Sequence, residues 1–166
     1  MTTGPGPRER PTARVLLFDR DDRILMMKGR LPSAPDAPGA WFTIGGGVEP
    51  GEDVRAAAAR EILEETGFSD VQLGPQVWYG EIMLADLEGP LLFKDHYLIA
   101  RCAGGEISRL GWQAVEHAFI DAVRWWTLAE IKSSDEIFYP KGLAARLADL
   151  LAGLLPAAPI DITIPR

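Results

Sequence analysis

The segment GGGVEPGEDVRAAAAREILEETGF, residues 45–68, couples a run of glycines to an unusually acidic stretch. Its acidic side chains outnumber its guanidinium groups: Glu49, Glu52, Asp53, Glu61, Glu64 and Glu65 stand against Arg55 and Arg60. In a helix, the last three of these carboxylates lie within one turn of each other, so like charges crowd one end. Such crowding costs stability unless a cation lies between the carboxylates.

A helix is predicted over residues 54–66. The consecutive alanines 56–59 have high helix propensity, and Asp53 or Glu52 suits the positive N-terminus of the helix. Gly67 is a typical helix stop.

The acidic face of this helix has two interpretations. Arg60 precedes Glu64 by one turn, so ion pairs alone would explain a solvated helix face. Alternatively, Glu61 and Glu65 lie at i and i+4 beside Glu64 and offer hard oxygen ligands, which select Mg²⁺, Mn²⁺ or Ca²⁺. The preceding glycines favour the metal interpretation, because residues 45–47 let backbone carbonyls approach a ligand closely.

The glycine run matches neither of two common phosphate-binding loops. No Gly-Lys-Ser/Thr follows it, as a P-loop requires, and Pro50 occupies the position of the third glycine of the dinucleotide-binding fingerprint. The segment does match the Nudix box: Gly46, Glu52 and the run REILEETGF, residues 60–68, occupy every fixed position of that motif. The chain therefore resembles a Nudix hydrolase, and its strands and C-terminal helix outside the box extend the likeness.

The resemblance implies an α/β fold, a Nudix-type α/β/α sandwich with a mixed β-sheet. It also implies hydrolysis of the pyrophosphate bond in a nucleoside diphosphate linked to another group, such as ADP-ribose or a nucleotide sugar. Mg²⁺ or Mn²⁺ is the implied cofactor. The carboxylates would then gather because the metal, with the phosphates it brings, neutralises them.

Site residues follow from the same resemblance. The family's metal-ligand and catalytic carboxylates and its backbone-carbonyl ligand correspond here to Glu61, Glu64, Glu65 and Gly45. Arg60 and Glu52 match the pair that orients them, because a guanidinium can fork onto a carboxylate and hold its rotamer. Which glutamate acts as the base varies across the family, so that role is left open.

Many family members add one carboxylate from a loop downstream of the box. This chain has Glu106, Glu116 and Asp121 in the corresponding region. We favour Glu116 as a catalytic residue, because it lies shortly before the strand-like run VRWWT, where it could swing toward the metal. Glu106 follows a Gly-Gly turn and is more simply a solvated loop charge.

Substrate contacts are expected outside the box. Arg14 and Arg30 are candidates for binding phosphate, and residues 29–40 form a Pro- and Gly-rich loop long enough to be functional. Trp41 could stack on a base or fill the core, and the sequence leaves both alternatives open.

The rest of the chain is β-rich with two main helices. The runs ARVLLFD and RILMMK are predicted to form a hairpin, and residues 108–119 are predicted to form a loop. Thr127 and Glu130 have the spacing of a capping box. The leucines of the C-terminal region mark one face of an amphipathic helix, at positions 143, 147, 150, 151 and 154.

Composition favours one soluble domain, expected over residues 12–155, with a flexible N-terminal arm, residues 1–11, and a C-terminal tail, residues 156–166. The net charge of −7 argues against nucleic acid as a partner, because phosphate backbones are held by dense Lys and Arg. No apolar run indicates a signal peptide or a membrane span, so we expect a small-molecule nucleotide partner and no membrane. Cys102 is the single cysteine, which fits a reducing cytoplasm. A homodimer is left open.

Three other functions remain as alternatives. A house-cleaning nucleoside triphosphate pyrophosphohydrolase would use the same box. A non-catalytic nucleotide sensor would be favoured by loss of Glu61, Glu64 or Glu65, and none of these is lost. An isoprenoid diphosphate isomerase would need a catalytic cysteine, whereas Cys102 lies in a predicted strand.

Overall fold

The computed structural model of the chain describes residues 6–31 and 34–164. Its strands are β1 (Arg8–Phe18), β2 (Ile24–Gly29), β3 (Ala40–Gly47), β4 (Val71–Asp86), β5 (Gly89–Cys102), β6 (Ile120–Trp126) and β7 (Ile160–Asp161). Its helices are α1 (Val54–Thr66), α2 (Ala114–Phe119), α3 (Leu128–Ser133) and α4 (Leu143–Leu151).

The described strands form one mixed sheet in the order β6-β2-β3-β1-β5-β4-β7. β1 runs parallel to β5 and antiparallel to β3, so Arg14 pairs with Tyr97 on one side and with Gly45 on the other. The long strands β4 and β5 pair antiparallel, and β7 adds a short parallel pairing to β4. The predicted mixed sheet is confirmed.

The sheet buries a hydrophobic core on each of its faces. Ala57, Ala58 and Ile62 of α1 contribute to one core. Leu143 and Leu147 of α4 contribute to the other core, together with residues of α3. Alternate residues of β1 enter the two cores, because successive strand side chains point to opposite faces. The predicted α/β/α sandwich is confirmed.

Local capping signals set the bounds of two helices. Asp53 is the N-cap of α1, and its side chain accepts a hydrogen bond from the backbone N–H of Ala56 at 2.7 Å. Gly67 ends the helix in the left-handed conformation at φ 76°. The α3 helix begins with the full capping box of Thr127 and Glu130 that the sequence predicts.

The predicted hairpin turn between β1 and β2 is present, but the pairing of the two strands is short. The two strands meet only where Phe18 pairs with Ile24, beside the turn. β2 instead pairs with β3 and β6, and β3 lies between it and β1 along most of its length. The prediction of a loop over residues 108–119 is wrong for its second half, which forms α2.

The domain extends beyond the predicted limits of residues 12–155. Residues 8–11 belong to β1 and pair with β5, so they are not part of a flexible arm. At the other end, β7 joins the sheet and Ile162 is buried in the core, 8% exposed. Residues 1–5 of the predicted arm and 165–166 of the predicted tail lie outside the described residues. No helix in the described ranges is long and apolar enough to cross a bilayer.

Candidate active site

The glycine run at the end of β3 fits closely against β1 and α1. Gly45 has φ 139°, and a Cβ at this position would collide with the backbone of Ala13. A Cβ on Gly46 would collide with the carboxylate of Glu61. The backbone N–H of Gly45 donates to Oε2 of Glu65 at 2.9 Å. Glycine is therefore required here so that the helix carboxylates can reach the strand end.

Arg60 connects the glycine loop to the acidic face of α1. Its Nε and Nη2 donate to the two carboxylate oxygens of Glu52 at 2.8 and 2.9 Å, and Nη2 also donates to the carbonyl of Gly47 at 2.9 Å. Nη1 donates to Glu61 at 2.9 Å and to Glu64 at 3.2 Å. The Arg60 hydrogen bond lowers the pKa of Glu52 to about 2. These contacts join Arg60 to Glu52, Glu61 and Glu64, and the orienting role of Arg60 and Glu52 stays a prediction.

Two of the predicted metal ligands are buried carboxylates. Glu61 is 8% exposed and Glu65 is 6% exposed. Burial raises the pKa of Glu65 to about 8 despite the hydrogen bond from Gly45, and the charges of Glu61 and Glu116 raise it further. Burial also raises the pKa of Glu61 against the opposing effect of Arg60. Both carboxylates are therefore shielded from water, and this burial disfavours their ionised forms.

Glu116, the predicted downstream carboxylate, lies on α2. Burial is the main cause of the raised pKa values of Glu61 and Glu65, and the charge of Glu116 adds to both. Its Oε2 atom is buried and accepts no hydrogen bond. Glu106 is exposed in its loop, and Asp121 instead pairs with Arg30 at 3.2 Å.

The candidate ligand atoms at this site are of the kind that divalent metal ions prefer. They are carboxylate and carbonyl oxygens, which Mg²⁺ and Mn²⁺ prefer, and the buried oxygen of Glu116 has no other partner. Across residues 6–31 and 34–164, no three carboxyl, imidazole or thiol groups converge on a single point. The guanidinium of Arg60 is hydrogen-bonded to two of these carboxylates, Glu61 and Glu64.

Arg14 is one of the residues that line a cavity of about 340 Å³. Its walls combine two cations with aromatic side chains: Arg14, Arg30, Phe42, Phe93, Tyr97 and Tyr139. Arg14 is held by Asp95, whose Oδ1 is 3.5 Å from its Nε. The charge of Glu65 is among the causes of the raised pKa of Arg14, although burial opposes it. Arg14 therefore links the cavity to the carboxylate site.

Of the predicted substrate contacts, Arg30 lies at the cavity, whereas Trp41 lies in the core. Arg30 lines the cavity and pairs with Asp121. Trp41 is 4% exposed and packs edge-on against Trp126, with ring centroids 5.1 Å apart. The amino group of Lys28 covers the Trp41 ring at 5.9 Å. The prediction that Trp41 binds substrate by stacking is therefore wrong, because its ring is buried in the core.

Trp112 and Gly111 are site residues that sequence reasoning missed. The indole Nε1 of Trp112 donates to the backbone carbonyl of Glu65 at 2.8 Å. Gly111 lies directly against the backbone of Glu64. The only sequence signal was a glycine and a tryptophan shortly before Glu116, in a stretch without clear periodicity.

Known proteins resemble this chain over most of its length. The NUDIX domain family model matches residues 8–147. An RNA pyrophosphohydrolase of Caulobacter vibrioides is 34% identical over 142 residues, which cover 78% of this chain and 78% of that protein. A putative 8-oxo-dGTP diphosphatase 2 of Mycobacterium tuberculosis is 34% identical over 121 residues, which cover 72% of this chain and 76% of that protein.

Solved structures agree with the fold. A MutT NUDIX hydrolase from Burkholderia pseudomallei superposes with a TM-score of 0.56 at 25% identity, covering 84% of this chain and 98% of that one. The E. coli dihydroneopterin triphosphate pyrophosphohydrolase has a TM-score of 0.63 and covers 89% of this chain and 99% of its own, at 16% identity. The chain therefore belongs to the Nudix hydrolase family and is a pyrophosphohydrolase.

Proposed function

We propose that this chain hydrolyses a pyrophosphate bond of a nucleotide with Mg²⁺ or Mn²⁺ held by Glu61, Glu64, Glu65 and the carbonyl of Gly45. Nudix hydrolases generally use a divalent metal. The observation that carries the proposal is the pair of buried carboxylates Glu61 and Glu65, together with the half-buried Glu116, whose enclosed Oε2 has no hydrogen-bond partner. Buried like charges of this kind are stable only if they stay protonated or face a cation.

A divalent ion bound here would supply charge stabilisation to the reacting phosphoryl group and lower the pKa of water. The protein's own residues hold the geometry. Arg60 holds the rotamers of Glu52 and Glu61 through its forked hydrogen bonds. The free Oε2 of Glu116 is available to accept a proton from the attacking water as the pyrophosphate bond breaks.

Arg14 and Arg30 are proposed to bind the substrate phosphates. Both line the 340 Å³ cavity, whose aromatic walls suit a nucleobase. Arg14 has one long ionic contact, to Asp95 at 3.5 Å, so its remaining donors can reach a phosphate. The cavity therefore offers a place for the nucleoside beside Arg14, which pairs across the sheet with Gly45.

As the substrate class we propose a nucleoside diphosphate linked to another group. A second cavity of about 700 Å³ adjoins the first one. The two cavities share the lining residues Ile82, Asp95, Tyr97 and Tyr139. This space exceeds the needs of a single nucleoside and supports a substrate with two bulky parts.

Hydrolysis of a nucleoside triphosphate to monophosphate and pyrophosphate is the second candidate. The names of two relatives favour it, an RNA pyrophosphohydrolase and a putative 8-oxo-dGTP diphosphatase. Our expectation that nucleic acid is not a partner rests on the net charge of −7. Because the first of these relatives is named an RNA pyrophosphohydrolase, RNA must be included among the substrates tested.

A substrate screen with metal tests both candidates. Purified protein is incubated with Mg²⁺ or Mn²⁺ and with ADP-ribose, nucleotide sugars, dinucleoside polyphosphates, NADH, nucleoside triphosphates including 8-oxo-dGTP, or 5′-triphosphorylated RNA. Products are separated by chromatography, with Glu65→Gln as the inactive reference and a chelator arm. We expect highest kcat/KM on a substrate of the first class and loss of turnover in chelator.

Different outcomes separate the alternatives. Preference for triphosphates, with pyrophosphate released, would replace our substrate class by the second candidate. Tight binding of a nucleotide without turnover, at any metal concentration, would overturn hydrolysis and favour a sensor. Full turnover in excess chelator would overturn the metal requirement.

We further propose that the protein acts in the cytoplasm on small nucleotides, because its one cysteine fits a reducing compartment. Fractionation of cells that produce a tagged chain checks the location. Light scattering of the purified protein distinguishes a monomer from a homodimer.

A further inference from the structure

The C-terminal end of α1 leaves backbone carbonyls without partners inside the helix. The segment before α2 satisfies two of them. The indole Nε1 of Trp112 donates to the carbonyl of Glu65, and the backbone N–H of Ser108 donates to the carbonyl of Thr66, both at 2.8 Å. This segment is therefore fitted to the last turn of the helix that carries the metal-ligand carboxylates.

Gly111 brings the two backbones into close contact. A Cβ on this residue would lie 2.5 Å from the carbonyl oxygen of Glu64 and 3.0 Å from its Cα. Both atoms belong to the backbone, so the collision could be relieved only by moving the segment away. The close fit at Gly111 holds Trp112 next to the helix end.

The Trp112 side chain is fixed on several sides. It is 7% exposed and is part of the hydrophobic core that includes Ala58 and Ile62 of α1. The guanidinium carbon of Arg109 lies 4.6 Å from the centroid of its ring. A buried indole whose single donor is used in this way has one preferred orientation.

The α2 helix has few anchors of its own. It is only six residues long, none of its residues is buried, and its N-cap residue Gln113 makes no side-chain capping bond. Glu116 is nevertheless close enough to Glu61 and Glu65 for its charge to act on both. Trp112 lies two residues before the first helical residue, and its ring centroid is 5.5 Å from that of His117, so it is placed to anchor the N-terminal end of this helix.

We infer that Trp112 is a positioning residue that fixes Glu116 beside the metal-ligand carboxylates by tying its segment to the carbonyl of Glu65. The inference rests on the proposed function of Glu116. It assigns Trp112 no contact with substrate. Loss of the indole donor should therefore weaken the contribution of Glu116 and leave nucleotide binding in the cavity intact.

Trp112→Phe is the primary variant, because it keeps an aromatic ring and removes only the Nε1 donor and part of the volume. Trp126→Phe is the matched control: Trp126 is 2% exposed and its Nε1 has no partner, so the change removes a similar volume from a core without a hydrogen bond. We expect Trp112→Phe to lower kcat by about 10- to 100-fold, the usual effect of losing a supporting contact. KM for the nucleotide should change by less than about two-fold, and Trp126→Phe should keep wild-type kcat.

A double-mutant cycle with Glu116→Gln separates positioning from a general structural effect. If Trp112 acts through Glu116, Trp112→Phe should have almost no further effect on kcat in the Glu116→Gln protein. If it lowers kcat by the same factor in both backgrounds, Trp112 acts elsewhere and the inference is overturned.

Hydrogen exchange on the metal-free protein tests the anchor without any measurement of activity. Trp112→Phe should increase exchange of the amides of residues 113–119, and Trp126→Phe should not. Unchanged exchange in this segment would overturn the inference even if the proposed hydrolysis is correct. If wild-type protein hydrolyses no nucleotide, the proposed function fails while this measurement still decides the anchor. Gly111→Ala, which forces the segment away from Glu64, provides a second variant with the same expected result if Trp112→Phe does not fold.

Discussion

Nε of Arg60 lies 2.8 Å from Oε2 of Glu52, and Nη1 of the same guanidinium lies 2.9 Å from Oε1 of Glu61. One planar side chain thus fixes a carboxylate of the loop before α1 and a carboxylate of α1 itself. An ammonium group cannot reproduce this fork, because it is a single point charge on a flexible stem. The geometry therefore distinguishes arginine from lysine at this position.

Arg60→Lys should lower kcat/KM by about 10- to 100-fold and raise the Mg²⁺ concentration for half-maximal rate, since the orienting contacts around metal ligands typically contribute this much. Steady-state kinetics over a metal titration measures both quantities. Arg55→Lys is the control, because Arg55 lies on the same helix but donates to the carbonyls of Leu73 and Gly74. Equal effects of the two substitutions would contradict a specific role for Arg60.

Glu116→Gln should lower kcat by about 100-fold or more, because the enclosed Oε2, which we propose as the proton acceptor beside the proposed metal ligands, is replaced by part of a neutral amide. Glu106→Gln should leave kcat unchanged, since Glu106 is an exposed loop residue. The comparison uses kcat at saturating Mg²⁺, with thermal unfolding to confirm that both variants fold. If Glu106→Gln is the damaging substitution, the downstream carboxylate has been assigned to the wrong residue.

Local signals explain why so much of the acidic segment could be predicted from the sequence. The cap residues Asp53 and Gly67 fix the ends of α1 within one stretch of chain, and the predicted bounds agree with the structure. The spacing of Glu61 and Glu65 needs only helical geometry to place them on one face. Such features depend on neighbours in the sequence and not on the rest of the fold.

Features set by distant contacts could not be predicted in the same way. Both faces of the sheet carry a hydrophobic core, so alternation of side chains does not reveal which core or cavity Trp41 enters. The pairing of β2 with β6 joins strands about 100 residues apart in sequence, whereas the sequence indicates only the local turn between β1 and β2. The hydrogen bond from Trp112 to Glu65 spans 47 positions and has no local signature.

Trp41→Ala should destabilise the protein by about 3–5 kcal/mol, because the ring is buried against Trp126 and its loss leaves a cavity. KM of the folded variant should remain close to the wild-type value. Urea unfolding and steady-state kinetics measure the two effects. Tyr139→Ala should behave oppositely, because Tyr139 is 41% exposed and lines both cavities: KM should rise with little change in stability. A large rise in KM for a stable Trp41→Phe variant would restore the base-stacking role.

The stability of the metal-free protein should fall between about pH 4.5 and pH 8. Burial raises the pKa of Glu65 to about 8, whereas a glutamate in the unfolded chain has a pKa of about 4.3. Between these values the folded state keeps a proton that the unfolded state has lost, so the free energy of unfolding decreases as pH rises, by up to about 1.4 kcal/mol per pH unit. The raised pKa of Glu61 acts in the same direction. Glu52 does not oppose this trend within the window, because its stabilisation is complete above the unfolded pKa of about 4.3 and is lost only as pH falls toward its folded pKa of about 2.

Urea unfolding in chelator at pH 5.5 and pH 8 measures this dependence, and Glu65→Gln is the matched variant because its amide does not titrate. We expect Glu65→Gln to reduce the difference between the two pH values substantially. Mg²⁺ added at pH 8 should restore stability to the wild-type protein, because a cation favours the ionised carboxylates and binds only the folded state. It should restore less in Glu65→Gln, which lacks one ligand charge. If the metal-free wild type is as stable at pH 8 as at pH 5.5 and Mg²⁺ has no effect on either protein, Glu65 ionises without cost and the buried carboxylates do not form a metal site.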